Sequence, residues 1–254
     1  MARSAVLRGL AVIGIIILVL VVAGGIYLYT QNKPLPTGEA GEAADNLAVE
    51  MMDAVNKSAW DSTNIVRWSF RESHEHTWDK ERDFAQVKWD EFVVNFHVKT
   101  KEGEVYEAGK LLEGEKKKEL LGAAYSYWVN DGFWLNAVVK AFDPGTTRYL
   151  IKNEDGSEDL LVTYGSGGLT PGDSYLWKLD QETKRPLSWQ VWASNLPVKG
   201  MEFTWESWKE LHTGALIASN HMIGSLEINM GKVESADSIQ TFFPDGDPFL
   251  SLDK

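Results

Sequence analysis

The sequence predicts an α+β chain built mostly from antiparallel strands, with one transmembrane helix at its N-terminus. Three features carry that prediction: an uncharged apolar run near the start, many short segments alternating apolar and polar residues, and two segments with an apolar stripe at helical spacing. Their order divides the 254 residues into a cytoplasmic stub (1–8), a transmembrane anchor (9–29), a linker (30–44) and a β-rich domain (45–254).

No charged side chain occurs from Gly9 to Tyr29, and Leu10 to Leu28 is almost entirely Leu, Ile, Val, Ala and Gly. At ~1.5 Å per residue such a helix spans roughly 30 Å, the thickness of a bilayer's hydrocarbon core. Arg3 and Arg8 precede it, and acids follow from Glu39 onward. The positive-inside bias then predicts a single pass through a cell inner membrane, with the N-terminus cytoplasmic and the C-terminal domain periplasmic or otherwise extracytoplasmic. A cleaved signal would have an apolar region of only about 7–15 residues ending in small residues. Ala23-Gly24-Gly25 offers such a site, but the run continues through Ile26, Tyr27 and Leu28, so the reading is an uncleaved signal-anchor.

Beyond the linker, Leu47, Met51 and Val55 recur at four-residue steps and predict a helix from about Asp45 to Lys57, with Asp45 or Asn46 as its cap. Val66, Trp68 and Phe70 then alternate with polar residues, as do Phe92, Val94, Phe96 and Val98, the period of half-buried strands. A second helix is expected from about Glu113 to Val129, stopped by Asn130-Asp131-Gly132, with Phe133-Trp134-Leu135 buried and irregular or a short strand. Hairpin rhythm returns at Thr147–Lys152 and Asp159–Tyr164, joined through Asp155-Gly156. A glycine-rich connection (165–173), which includes the turn Thr170-Pro171-Gly172-Asp173, leads to Ser174–Asp180 and Leu187–Ser194. Met201, Phe203 and Trp205 continue the strand pattern, and further strands run to Lys232. The sum is about ten strands and two helices.

Composition excludes several functions. There is no Cys, hence no disulfide, no thiol catalysis, no thiolate metal site and no lipid tether of the kind that needs a cysteine. The net charge is −12, and beyond residue 33 there are 22 basic against 37 acidic residues, which disfavours nucleic acid as a partner. Trp is in excess: each of the eleven is a large rigid surface to be buried or used for binding.

The segment Tyr175-x-Trp177-x-Leu179-Asp180-x-x-Thr183-x-x-Pro186-x-x-Trp189 resembles a hairpin of the lipoprotein-carrier superfamily, LolA/LppX-like. Trp78-Asp79 and Asn130-Asp131-x-Phe133-Trp134-Leu135 resemble motifs of uncharacterised bacterial extracytoplasmic proteins. The resemblance implies that residues 45–254 form a curved antiparallel half-barrel with about two helices on a concave apolar face that binds acyl chains. The carrier is soluble, whereas this chain carries a predicted anchor.

On that basis the expected function is a membrane-tethered binding protein for a lipid, acyl chain or other hydrophobic ligand. The alternatives are a non-catalytic scaffold with an envelope protein partner and, third, a hydrolase. Ligand-binding candidates are Trp68, Phe70, Trp78, Phe96, Trp128, Trp134, Trp177, Trp189 and Trp205. His74 and His76 share one face if they lie on a strand and are weak metal candidates, with His97 or a carboxylate as third ligand. Gly165-Ser166-Gly167-Gly168 lacks the Lys-Ser/Thr of a P-loop and the spacing of a nucleophile elbow, so it reads as a flexible connection. No catalytic constellation and no cofactor motif is legible.

Overall fold

The computed structural model describes residues 24–25 and 29–253. Helix α1 (Glu42–Asp53) and helix α2 (Lys57–Asp61) open the domain. They are separated by Asn56, whose left-handed backbone (φ 55°) ends one helix while its side chain caps the next by accepting the Ala59 N–H. Leu47, Met51 and Val55 are buried as one stripe. The predicted caps do not act: α1 starts after Gly41, and Asp45 instead pairs with Arg148 at 2.5 Å.

Strands β1 (Ile65–Phe70), β2 (His74–Asp79), β3 (Phe84–Trp89), β4 (Phe92–His97), β5 (Gly103–Glu107) and β6 (Lys110–Leu111) follow as a meander. Two-residue turns such as Asp90-Glu91, with Asp90 at φ 47°, keep neighbours antiparallel. Helix α3 (Gly114–Asn136) then crosses the molecule and ends in a 3₁₀ turn at Ala137–Lys140. Beyond it come β7 (Thr146–Lys152), β8 (Glu158–Tyr164), β9 (Ser174–Leu179), β10 (Pro186–Trp192) and β11 (Met201–Thr204). The chain finishes with β12 (Glu206–Glu210), β13 (Leu216–Ile223), β14 (Leu226–Asn229) and β15 (Glu234–Ala236).

These strands form three sheets, ordered β15-β1-β2-β3-β4-β5-β6, β11-β10-β9-β8-β7 and β12-β13-β14. None closes on itself, which corrects the expected half-barrel. The chain leaves the first sheet through the 23 residues of α3, so β7 starts a new sheet instead of extending past β6. A second break falls at Trp205, expected to continue one strand with Met201 and Phe203. Trp205 donates its N–H back to the Leu187 carbonyl at 2.8 Å, Ser207 adopts φ 56°, and β12 departs to pair with β13. The fold is therefore α+β with several antiparallel sheets, and its described residues hold fifteen strands and three α-helices.

The predicted anchor over 9–29 lies outside the described residues, apart from Gly24, Gly25 and Tyr29. Among the described residues no helix is long and apolar enough to cross a membrane. The longest, α3, carries Lys116, Lys117 and Lys118 in its first turns. The signal-anchor, the membrane as partner and the single-pass inner-membrane localisation are corrected accordingly.

The main core lies where α1 and the second half of α3 meet the five- and three-stranded sheets. It is rich in Trp: Trp177 and Trp189 lie 4.9 Å apart between ring centroids, and Trp205 is 4.9 and 5.0 Å from them. A smaller core under the first half of α3 joins Val87, Val94, Phe96 and Val105 to Ala124.

Candidate functional site

Helix α3 runs through its predicted stop. Asn130, Asp131 and Gly132 are poor helix formers, but the first two are compensated by what they meet. Asp131 is buried, and its Oδ2 accepts from His74 Nδ1 at 2.7 Å and from His76 Nε2 at 2.8 Å, while Asn130 Nδ2 donates to Oδ1 at 2.9 Å. Gly132 faces the Trp68 ring edge, which would lie in ordinary van der Waals contact, 3.8 Å, from an added Cβ. Phe133, Trp134 and Leu135, expected to be irregular or strand, are thereby the last helical turn.

Alternation along β2 sets both imidazoles on the face that α3 covers. His76 stacks on Trp68 at 4.6 Å and His74 on Tyr127 at 3.9 Å, so both rings are fixed. Burial holds the His76 pKa below its usual value, despite the opposing pull of Asp131. As a neutral ring it donates Nε2–H to Asp131, and its buried Nδ1 has no hydrogen-bond partner. His74, His76 and Asp131 place three ligand atoms within 4.8 Å of one another, enough for a divalent ion. A metal on His76 Nε2 would, however, leave an N–H at Nδ1 with no acceptor behind it, unlike the usual second shell of a ligating histidine. His97 is elsewhere, edge-on to Phe84 at 5.3 Å.

On the neighbouring face of α3 lies a half-open cleft of about 450 Å³. Trp78 from β2 and Tyr125, Trp128, Phe133 and Asn136 from α3 form one wall. Tyr164 at the end of β8, Tyr175 on β9, and the glycine-rich segment with Asp173 form the other. That segment is pinned at its base: Tyr164 donates its N–H to Asp173 O at 2.9 Å, Gly172 to Tyr164 O at 2.7 Å, and Gly165 to Gly145 O at 2.9 Å. Gly145 must lack a side chain, because at φ 85° an added Cβ would lie 1.9 Å from Ser166 Oγ. Ser166, Gly167 and Gly168 are thus part of a cleft wall.

The wall contains polar atoms with nothing to bond. Trp78 Nε1, Trp128 Nε1, Asn136 Oδ1 and Asp173 Oδ2 are all buried without a partner. Burial drives the Tyr164 phenol pKa well up, with a further push from Asp143, and it raises Tyr175, helped by Asp173. Both phenols are neutral at ordinary pH.

Of the nine aromatic candidates, Trp78 and Trp128 line the cleft. Trp68, Phe96, Trp177, Trp189 and Trp205 lie in the packed cores. Trp134 is half-buried between Trp189 and Phe203, at 5.1 and 5.0 Å, and Phe70 is half-buried beside His74 at 6.4 Å. Sequence reading missed Asp131, Asn136, Tyr164 and Asp173. Asp131 and Asp173 had visible signals, but Asn130-Asp131-Gly132 read as a helix stop and Thr170-Pro171-Gly172-Asp173 as a turn.

One serine, histidine and aspartate do meet: His212 Nδ1 lies 2.6 Å from Ser235 Oγ and Nε2 lies 2.9 Å from Asp237 Oδ1. Ser235 Oγ also accepts the His212 backbone N–H at 3.2 Å, and Asp237 is largely exposed. This is a surface clip between a loop and the end of β15, and none of its three residues lines the cleft.

No family model and no curated protein matches the chain. Several solved structures are distantly similar, two of them as follows. A DUF1329 family protein from Desulfovibrio piger aligns with 10% identity over 81% of this chain and 97% of that one, with a TM-score of 0.42. A putative outer membrane lipoprotein-sorting protein domain from Vibrio parahaemolyticus aligns with 10% identity over 76% and 94%, with a TM-score of 0.38.

Proposed function

We propose that this protein is a non-catalytic binding module whose cleft between α3 and the glycine-rich segment holds a small hydrophobic or amphiphilic molecule. The observation that carries the reading is the cleft's make-up: about 450 Å³, mainly apolar and aromatic, with a few unpaired polar atoms in its wall. Binding sites for small molecules have that size and that mixture. Domain boundaries at residue 45, or nearby at the start of α1, belong to the same proposal.

Extraction of the purified full chain followed by mass spectrometry should recover an apolar compound near one equivalent. Titration with 1-octanol, followed by intrinsic Trp fluorescence, should saturate. An empty protein that octanol does not perturb would end the reading.

A second reading, a scaffold that binds another protein, draws on the packing of Trp68, Phe96, Trp177, Trp189 and Trp205 in closed cores. Crosslinking in cells separates the two, since a scaffold yields a reproducible protein partner whether or not the cleft is blocked.

A further inference from the structure

We propose that the occupant of this cleft is an amphiphile whose polar end is a protonated primary amine held by Asp173. The inference rests on the binding reading above and adds the chemistry of the head and its direction.

The cleft has two different ends. Trp128 and Asn136 stand eight residues apart on α3, about 12 Å along the axis at ~1.5 Å per residue. Around Trp128 the wall is aromatic, with Trp78 edge-on at 5.2 Å and Tyr125 at 6.0 Å. Its unpaired polar atoms, the two indole N–H groups, are donors. The unpaired acceptors in the lining are Asn136 Oδ1 on α3 and Asp173 Oδ2 on the facing glycine-rich segment. An apolar body therefore suits the aromatic surface around Trp128, and a donor-bearing head suits the unpaired acceptors.

Asp173 decides the charge of that head. It is 3% exposed, and Oδ1 accepts the Ser194 N–H at 2.9 Å while Oδ2 accepts nothing. The cation in this wall, Lys140, is already paired with Asp143 at 3.1 Å. A buried carboxylate with an empty side is costly unless something charged and donating meets it. Tyr164 and Tyr175, with centroids 5.6 Å apart, add neutral aromatic surface of the kind that attracts a cation. A net charge of −12 favours the approach of a cation as well. A fatty acid would bring a second carboxylate to Asp173, and a quaternary ammonium would have no hydrogen to donate to Oδ2.

Three probes of one chain length test this on the full chain: octylamine, 1-octanol and octanoate, titrated by calorimetry below micellar concentrations. Octylamine is expected to bind about tenfold or more tighter than the other two, the gain of a charge-assisted hydrogen bond. Asp173→Asn keeps an oxygen for Ser194 and should bring the three affinities within about twofold of one another. Equal affinities in the native chain, or a preference that survives Asp173→Asn, would overturn the amine assignment while the cleft reading stands. Binding of none of the three removes both. The native-chain comparison needs no variant to fold. Where octylamine wins, its displacement by phosphatidylethanolamine vesicles but not by phosphatidylcholine vesicles assigns the amine to a lipid headgroup, and no displacement assigns it to a free amine.

Discussion

His76 donates its Nε2–H to Asp131 Oδ2 across 2.8 Å, joining the middle of β2 to a helix whose sequence at that point reads as a stop. The bond is fully buried and is shared with His74 on the same oxygen. It fixes the position of α3, and α3 forms one wall of the cleft. Asp131→Ala leaves the His76 N–H without an acceptor in the core and frees a helix breaker's neighbourhood from its tether. A loss of about 2–4 kcal/mol is expected in urea denaturation. A loss below about 1 kcal/mol would mean that the clamp does not hold the helix.

His221 gives a prediction in pH. Its Nδ1–H donates to the Thr204 carbonyl at 2.9 Å, and burial lowers its pKa from 6.5 to about 4 against the opposing pull of the Thr204 and Trp134 backbone. Below pH 6.5 the unfolded imidazole takes up a proton that the folded one refuses, so the contribution is complete above 6.5 and is lost as pH falls towards about 4. It amounts to about 3 kcal/mol, and His76 adds a loss of the same sign. His221→Asn keeps a donor near Thr204 without the titration. Urea midpoints at pH 7, 5.5 and 4 should fall more steeply in the native chain than in this variant; parallel slopes would refute the assignment.

Strand and helix periods were legible wherever one face of an element is buried and the other is wet. Leu47, Met51 and Val55 are the clearest case, and the β7–β8 hairpin lies within one residue of its expected bounds. What local pattern could not carry was compensation from afar. The stop at Asn130-Asp131-Gly132 is overridden by two histidines more than fifty residues away. The break at Trp205 depends on a bond to Leu187, and nothing in the alternation of Met201, Phe203 and Trp205 announces it. The cleft was illegible for the same reason. Trp128 faces it and Trp177 does not, although both sit on apolar stripes, and Asp173 sits in a plain turn sequence.

Gly103 supplies a prediction about sheet register. It pairs with Phe96 in β4–β5, and an added Cβ would fall 2.1 Å from the Asn95 carbonyl oxygen and 2.7 Å from Phe96 Cα. Backbone cannot yield as a side-chain tip can, so Gly103→Ala must part the two strands. We expect a loss of about 3 kcal/mol or more, measured as a fall in Tm, with amide exchange quickened first in Val94 and Val105. A variant within about 1 kcal/mol of the native chain would contradict the register.

The eleven tryptophans divide into those that fill and those that face a space, and substitution can tell them apart. Trp177 is fully buried, with Trp189 and Trp205 both 4.9 Å away. Removing it empties a site closed on all sides, so Trp177→Ala should cost about 3–5 kcal/mol. Trp128 is only half-buried, and part of its ring already borders the cleft, so Trp128→Ala forfeits fewer contacts and should cost about 1–3 kcal/mol. The order reverses for binding. With each variant held well below its own unfolding transition, octanol affinity should fall about fivefold or more in Trp128→Ala and change less than twofold in Trp177→Ala, a difference of about 1 kcal/mol. If the core substitution weakens octanol as much as the cleft substitution does, the ligand is not lying against Trp128.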